Sequence, residues 1–162
     1  MFKDPTTSRI AEFLNSIGIG IRAGDIPEET FLPGIRIESD GLVVDESRLP
    51  YPGDLLHEAG HIACMPAERR TETYINAGHD PAEEMMAIAW SWAAAVHIGI
   101  PPEVLFHEGG YRGGSQSLIN NFSEGRYIAV PMLQWVGLTA EPARAQELGI
   151  PPYPHMIRWI RE

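Results

Sequence analysis

Apolar residues recur along this chain with two periods, and the longer patterned stretches are helical. Ile10, Phe13, Leu14 and Ile17 fall at i, i+3, i+4 and i+7, one stripe on a helix that Asp4-Pro5 can cap and open. Gly18-Ile19 then reads as a stop, a left-handed glycine followed by an apolar contact. The same device recurs at Ile98-Gly99-Ile100-Pro101-Pro102 and Leu148-Gly149-Ile150-Pro151-Pro152, which is one helix-stop used three times and not a repeat of domains. A second helix is predicted over Leu55-Leu56-His57-Glu58-Ala59-Gly60-His61-Ile62-Ala63, with apolar pairs at both ends. The turn Leu49–Asp54 launches it with Asp54 as N-cap, and Met65-Pro66 closes it. A third helix opens at Asp80-Pro81 and is almost wholly apolar from Met85 to Val96, so it should be buried on most sides. Shorter helices are predicted from Ser115 to Phe122 (closed near Gly125), from Pro131, and from Ala143 to Leu148.

The period of two appears once. Ile35-Arg36-Ile37-Glu38 and Leu42-Val43-Val44-Asp45 flank Ser39-Asp40-Gly41, a hairpin with its turn at Asp-Gly. Residues 19–33 read as loop, and so does the polar stretch Ala67–His79, which brings Arg69, Arg70 and Tyr74 to the exit of the second helix. The tail Pro154–Ile160 carries apolar residues at helical spacing and should dock on the core. These elements predict an α+β fold in one domain, residues 1–162, a mainly helical body with a small β-hairpin sheet beside the His57 helix.

Composition narrows the partners. The 162 residues are 44% hydrophobic and 21% charged, a globular balance, and the net charge of −10 argues against nucleic acid or an anionic membrane. Cys64 is the single cysteine, so no intrachain disulfide forms and a reducing compartment suits the chain. Met1–Thr6 lacks the apolar core of a signal peptide, and no run approaches the ~18 apolar residues of a membrane span. The expectation is a cytoplasmic protein.

The candidate chemistry sits on the second helix. His57 and His61, four apart, leave the same helical face and can bind one zinc ion (Zn2+). Glu58 is one step round from His57, within reach of a water at that ion without ligating it. A catalytic site needs a third protein ligand, and the candidates are Glu84, Glu83 and His79 at the mouth of the next helix. Glu83 stands three residues after Asp80, where a capping-box carboxylate folds back on the cap, which leaves Glu84 to face the metal. Acidic residues are also favoured in any first turn by the helix dipole alone. His97 lies 13 residues beyond Glu84, about 20 Å along a helix, too far to share its ion and well placed to meet the dipole. His107-Glu108-Gly109-Gly110-Tyr111 has tyrosine where a second histidine would stand. With Gly113 and Gly114 it reads as a loop over a cleft, and Tyr111 and His107 are the candidates to stabilise an oxyanion.

The five residues His57-Glu58-Ala59-Gly60-His61 resemble the signature of the zincin metallopeptidases. The resemblance implies His57 and His61 as zinc ligands and Glu58 as general base. The metzincin continuation would need glycine at position 64 and histidine at 67, where this chain has Cys64 and Ala67. Glu84, followed by Ala87 and Trp90, is similar to the Glu-x-x-Ala-x-x-aromatic pattern of minimal zincins of the ImmA/IrrE type, a gluzincin-like third ligand. The thermolysin-type Asn-Glu-x-x-x-Asp pattern is absent. The family also implies a strand edge, here residues 42–46, that holds extended substrate by strand addition. The function implied is a zinc-dependent peptidase or amide hydrolase acting on a peptide or protein. The alternative is a non-catalytic zinc-binding regulatory or protein-interaction domain.

Overall fold

The first helix, α1 (Pro5–Ser16), starts where Asp4 accepts the Thr7 N–H at 2.7 Å, with Pro5 at the first helical position. Its stripe buries Ile10, Phe13 and Leu14. It ends in a full Schellman motif: Gly18 has φ +94°, its N–H reaches Asn15 O at 3.2 Å, and the Ile19 N–H reaches Leu14 O at 3.0 Å. These positions belong to a computed structural model that describes residues 1–39, 41–71 and 80–162. Asp40 of the expected turn, and Tyr74 and His79, lie outside the described residues.

Strands β1 (Ile21–Ala23), β2 (Ile35–Glu38) and β3 (Gly41–Val44) form a sheet in the order β1-β3-β2. The expected hairpin is present, with Ile35 opposite Val44 and Glu38 opposite Gly41. Two expectations are corrected here. Residues 19–33 are not all loop, since β1 pairs in parallel with β3, Ile21 opposite Leu42 and Ala23 opposite Val44. That makes β3 the central strand. Its backbone N–H and C=O groups are bonded on both sides, so residues 42–44 offer no free edge to an extended substrate.

The second helix, α2 (Asp54–Cys64), is buried along its whole length. Asp54 is not its cap. Gly53 holds that position, at a site where a Cβ would strike the Val104 carbonyl, and Asp54 is the first helical residue with its carboxylate turned to His107. The pre-proline residue Met65 is extended (ψ 153°) and ends the helix. One turn of helix, α3 (Ala67–Arg70), follows inside the stretch expected to be loop.

Helix α4 (Pro81–Ile98) is the long core rod, about 27 Å at 1.5 Å per residue. Asp80 accepts the Ala82 N–H at 2.8 Å, and every residue from Met86 to Ala95 is buried. A cap adds about 1 kcal/mol, whereas each large apolar side chain sunk in the core adds about 1.5–3 kcal/mol, so packing decides this helix. Gly99 at φ +73° stops it, with the Ile100 N–H on Ala95 O at 2.9 Å. Helices α2 and α4 touch at Gly60, where an added Cβ would meet Ala87 O at 2.8 Å and Ala87 Cα at 3.1 Å.

The remaining elements are α5 (Pro102–Leu105), a 3-10 turn (Tyr111–Gly113), α6 (Ser115–Ser123), α7 (Val130–Trp135) and α8 (Pro142–Leu148). The expected stop at Gly149 is present, and the device also closes α7, where Gly137 has φ +84° and the Leu138 N–H meets Leu133 O at 3.0 Å. The tail docks as expected but not as a helix. Pro151, Pro152 and Pro154 remove N–H donors, and those of Tyr153, Ile157 and Arg161 go to Ala140, Leu138 and Ala63 carbonyls at 2.8–2.9 Å. Trp159 then packs at right angles on Phe13 and Trp90, 5.0 and 5.6 Å between centroids. No helix among the described residues is long and apolar enough to cross a membrane.

The α2–α4 approach makes a direct stability prediction. Gly60→Ala gains about 1 kcal/mol of helix propensity, but forcing a methyl against the Ala87 backbone costs more, for a net loss of about 1–2 kcal/mol. Gly20→Ala, where nothing lies within 4 Å of the new Cβ, should stay within about 0.5 kcal/mol of the parent. Urea unfolding measures both, and equal midpoints for the two variants would contradict the contact.

Candidate metal centre

Helical spacing puts Asp54, His57, Glu58 and His61 on one face of α2, at i, i+3, i+4 and i+7. All four are buried, His57 at 4%, Glu58 at 6% and His61 at 7% exposure. Such a polar seam inside a core must find partners. The two imidazoles find one carboxylate. Glu84, in the first turn of α4, accepts from His57 Nε2 through Oε1 at 2.8 Å and from His61 Nε2 through Oε2 at 2.9 Å. The imidazole planes stand at 85° to one another with centroids 4.9 Å apart. The Glu84 side chain is 42% exposed and is the open side of the cluster.

Glu83 is engaged elsewhere, as expected, but by a different partner. It pairs with Arg69 of α3 instead of folding back on Asp80. His97 sits in the last turn of α4 with its ring on Phe13 and Trp159, away from the cluster. His79 lies outside the described residues.

Ionisation follows from the geometry. The His57 and His61 hydrogen bonds hold the Glu84 carboxyl far below the ordinary carboxylate range despite partial burial. Burial works to lower the His57 imidazole, but the Glu84 bond and the charges of Glu84, Glu58 and Asp54 outweigh it, and its pKa rises. Burial pushes the Glu58 carboxyl up against the pull of both imidazoles. Burial also raises the Cys64 thiol, which donates to the Met86 carbonyl at 3.9 Å.

These donors fit a divalent cation. Two imidazole nitrogens and a carboxylate converge from two helices, a donor set that suits several divalent metals. The Nε2 atoms that would ligate an ion both face Glu84 at hydrogen-bond distance, so any proton held there would leave when the ion binds. Ligand-capable atoms of His57, Glu58 and His61 also lie within 4.8 Å of one another, so Glu58 is the rival third ligand. Glu84 is the better choice because its two oxygens already meet both Nε2 atoms, whereas no ion pair joins Glu58 to either imidazole among the described residues.

A second constellation abuts the first. Asp54 Oδ1 meets His107 Nε2 at 2.6 Å, both side chains buried, and the Tyr51 ring stacks on His107 at 3.7 Å and 6°. Burial raises the Asp54 carboxyl while the His107 bond pulls it back. Gly109 and Gly110 let the backbone fold over this pair, since a Cβ would strike the Tyr51 hydroxyl at 2.5 Å and the His107 ring at 2.9 Å. Tyr111 then packs perpendicular to His57, centroids 5.8 Å apart. Its hydroxyl donates to the Leu105 carbonyl at 3.4 Å, and burial raises its pKa.

Of the sequence-predicted residues, the fold brings together His57, Glu58, His61 and Glu84, with Tyr111 against His57. His107 is one shell further out, tied to Asp54. Asp54 and Tyr51 are the residues that sequence reasoning missed. The signal for Asp54 was its place on the 54/57/58/61 stripe. No family model, curated protein or solved structure matches the chain.

With a cation held by these donors, His61→Ala and Glu84→Ala should each weaken zinc binding by more than about tenfold. Glu83→Gln should leave it unchanged, since Glu83 is paired with Arg69. Competition against a chromogenic chelator measures all three. Unchanged affinity in Glu84→Ala would remove Glu84 from the ligand set.

Proposed function

We propose that the chain is a zinc-dependent hydrolase of peptide or other amide bonds, with His57, His61 and Glu84 as metal ligands and Glu58 as general base. The observation that supports this best is the position of Glu58. Its carboxyl is sunk beside the two imidazoles, bonded to neither, with its proton affinity raised by burial. A purely structural zinc site needs no such group and is usually closed by a fourth side chain. When bound, zinc supplies Lewis-acid polarisation of a substrate carbonyl and lowers the pKa of water from about 15.7 to about 7.

The protein's own part is proton transfer and positioning. Glu58 accepts the proton of the attacking water and passes it to the leaving amine, a task that a carboxyl of raised pKa performs better than one in solvent. The Gly60–Ala87 contact sets the distance between the two ligand-bearing helices, and so brings Glu84 within reach of its partners on α2. The half-exposed Glu84 side is where substrate would enter. The occupant is a peptide or protein and not a nucleic acid, given the net charge of −10. The lone cysteine, Cys64, suits the cytoplasm.

Glu58→Gln should retain zinc while hydrolysis falls by about 10²–10⁴-fold, read by mass spectrometry on a peptide mixture with metal content measured in parallel. Full activity in that variant would rule out the mechanism. If the parent chain binds zinc and leaves every peptide and simple amide intact, the zinc-binding interaction domain becomes the better reading.

A further inference from the structure

Metal-binding histidines are ordinarily oriented through their second ring nitrogen, which donates to a carboxylate, a carbonyl or water. His57 departs from this. Its Nε2 faces Glu84, while Nδ1 is buried and has no hydrogen-bond partner among the described residues. The Glu84 bond therefore fixes the ring at one nitrogen only, and no polar group among the described residues holds it at the other. Besides His61 on its own helix, at 4.9 Å, the ring that packs on it is Tyr111, perpendicular at 89° and 5.8 Å between centroids.

Tyr111 is held there by an unusual piece of backbone. Tyr111 and Arg112 are both left-handed, φ +57° and +53°, adjacent positions that side-chain-bearing residues rarely adopt. Strain of this kind persists only where its surroundings impose it, and it gathers at functional sites. The surroundings are explicit. Four residues before Tyr111, His107 is bonded to Asp54 on α2, one helical turn ahead of His57. Gly109 and Gly110 fold the chain tightly over Tyr51 and His107, and Phe106 meets the Tyr111 ring at 5.2 Å and 88°. The turn is thus fastened to the metal helix at two points, Asp54 and His57. The hydroxyl of Tyr111 is turned to the Leu105 carbonyl, so the side of the residue offered to His57 is its ring.

We infer that Tyr111 is a positioning residue for His57: its ring, set by the left-handed turn and the His107–Asp54 bond, takes the place of the hydrogen bond that His57 Nδ1 lacks. This rests on His57, His61 and Glu84 being metal ligands, as proposed above. It differs from an oxyanion role, which would act through the hydroxyl. The aromatic ring is the functional part, and phenylalanine should serve as well as tyrosine.

The test is zinc affinity by chelator competition, with the visible spectrum of the cobalt-substituted chain as a reading of ligand geometry. Tyr111→Leu should weaken zinc binding by about 10–100-fold and alter the cobalt bands, and Tyr111→Phe should keep both near the parent values. If the leucine variant does not fold, Tyr111→Met replaces it, since its flexible side chain refills the space without a ring. A merely structural role would lower the melting temperature of the metal-free chain and leave the cobalt spectrum of the folded fraction unchanged. Parent-like zinc affinity and spectrum in a folded Tyr111→Leu chain overturns the inference. So does a phenylalanine variant as weak as the leucine one, which would place the effect in the hydroxyl. If the parent chain takes up neither zinc nor cobalt, the metal reading itself fails and this inference falls with it.

Discussion

One carboxylate on α4 accepts a hydrogen bond from each of two imidazoles on α2, and the fold around it is arranged so that this bridge can form. Two apolar helices packed on alanine and leucine have little to fix their register, because sliding one along the other exchanges similar contacts. The Glu84 bridge to His57 and His61 removes that freedom, since a shift of one residue would strand two buried imidazoles without their acceptor. Gly60 sets the distance, with the Ala87 backbone against it, and Ala87 lies one turn beyond Glu84 on the same face of α4. The close contact and the polar bridge are therefore neighbouring parts of one interface.

Around this interface the chain supplies supports from several separate segments. The tail closes over α2 and α4 by backbone bonds from Arg161 to Ala63 and by the Trp90 indole N–H on the Trp159 carbonyl at 2.9 Å. The turn after α5 reaches the front of α2 through His107 and Tyr111. The small sheet packs behind, with Ile35, Ile37, Leu42 and Val44 buried in the core that α1 and α2 share.

Local rules made much of this readable in the sequence. The capped start of α1, the glycine stops and the hairpin all follow from residues within a few positions of one another, where short-range chemistry is decisive. What escaped was nonlocal. Strand β1 is three residues with no alternation of its own, and it exists because β3 supplies a parallel partner. That pairing turns β3 from an expected edge into the sheet's centre. The tail has helical spacing, yet its prolines and its bonds to distant carbonyls hold it in another form. In the site, the placement of the histidine pair and Glu58 on one face was legible from helix period and that of Glu84 from the first turn of α4, although the expected capping box at Glu83 fails, because Glu83 pairs with Arg69. The Asp54–His107 bond, which spans 53 positions, was not, and Asp54 was assigned to a cap that Gly53 occupies.

X-ray absorption at the zinc edge, on the full chain loaded with one equivalent of zinc, addresses the bridge most directly. Two imidazoles with one or more oxygen neighbours at about 2.0–2.2 Å are expected. A sulfur neighbour, or a spectrum without imidazole scattering, would contradict the assignment of His57, His61 and Glu84 as a metal centre.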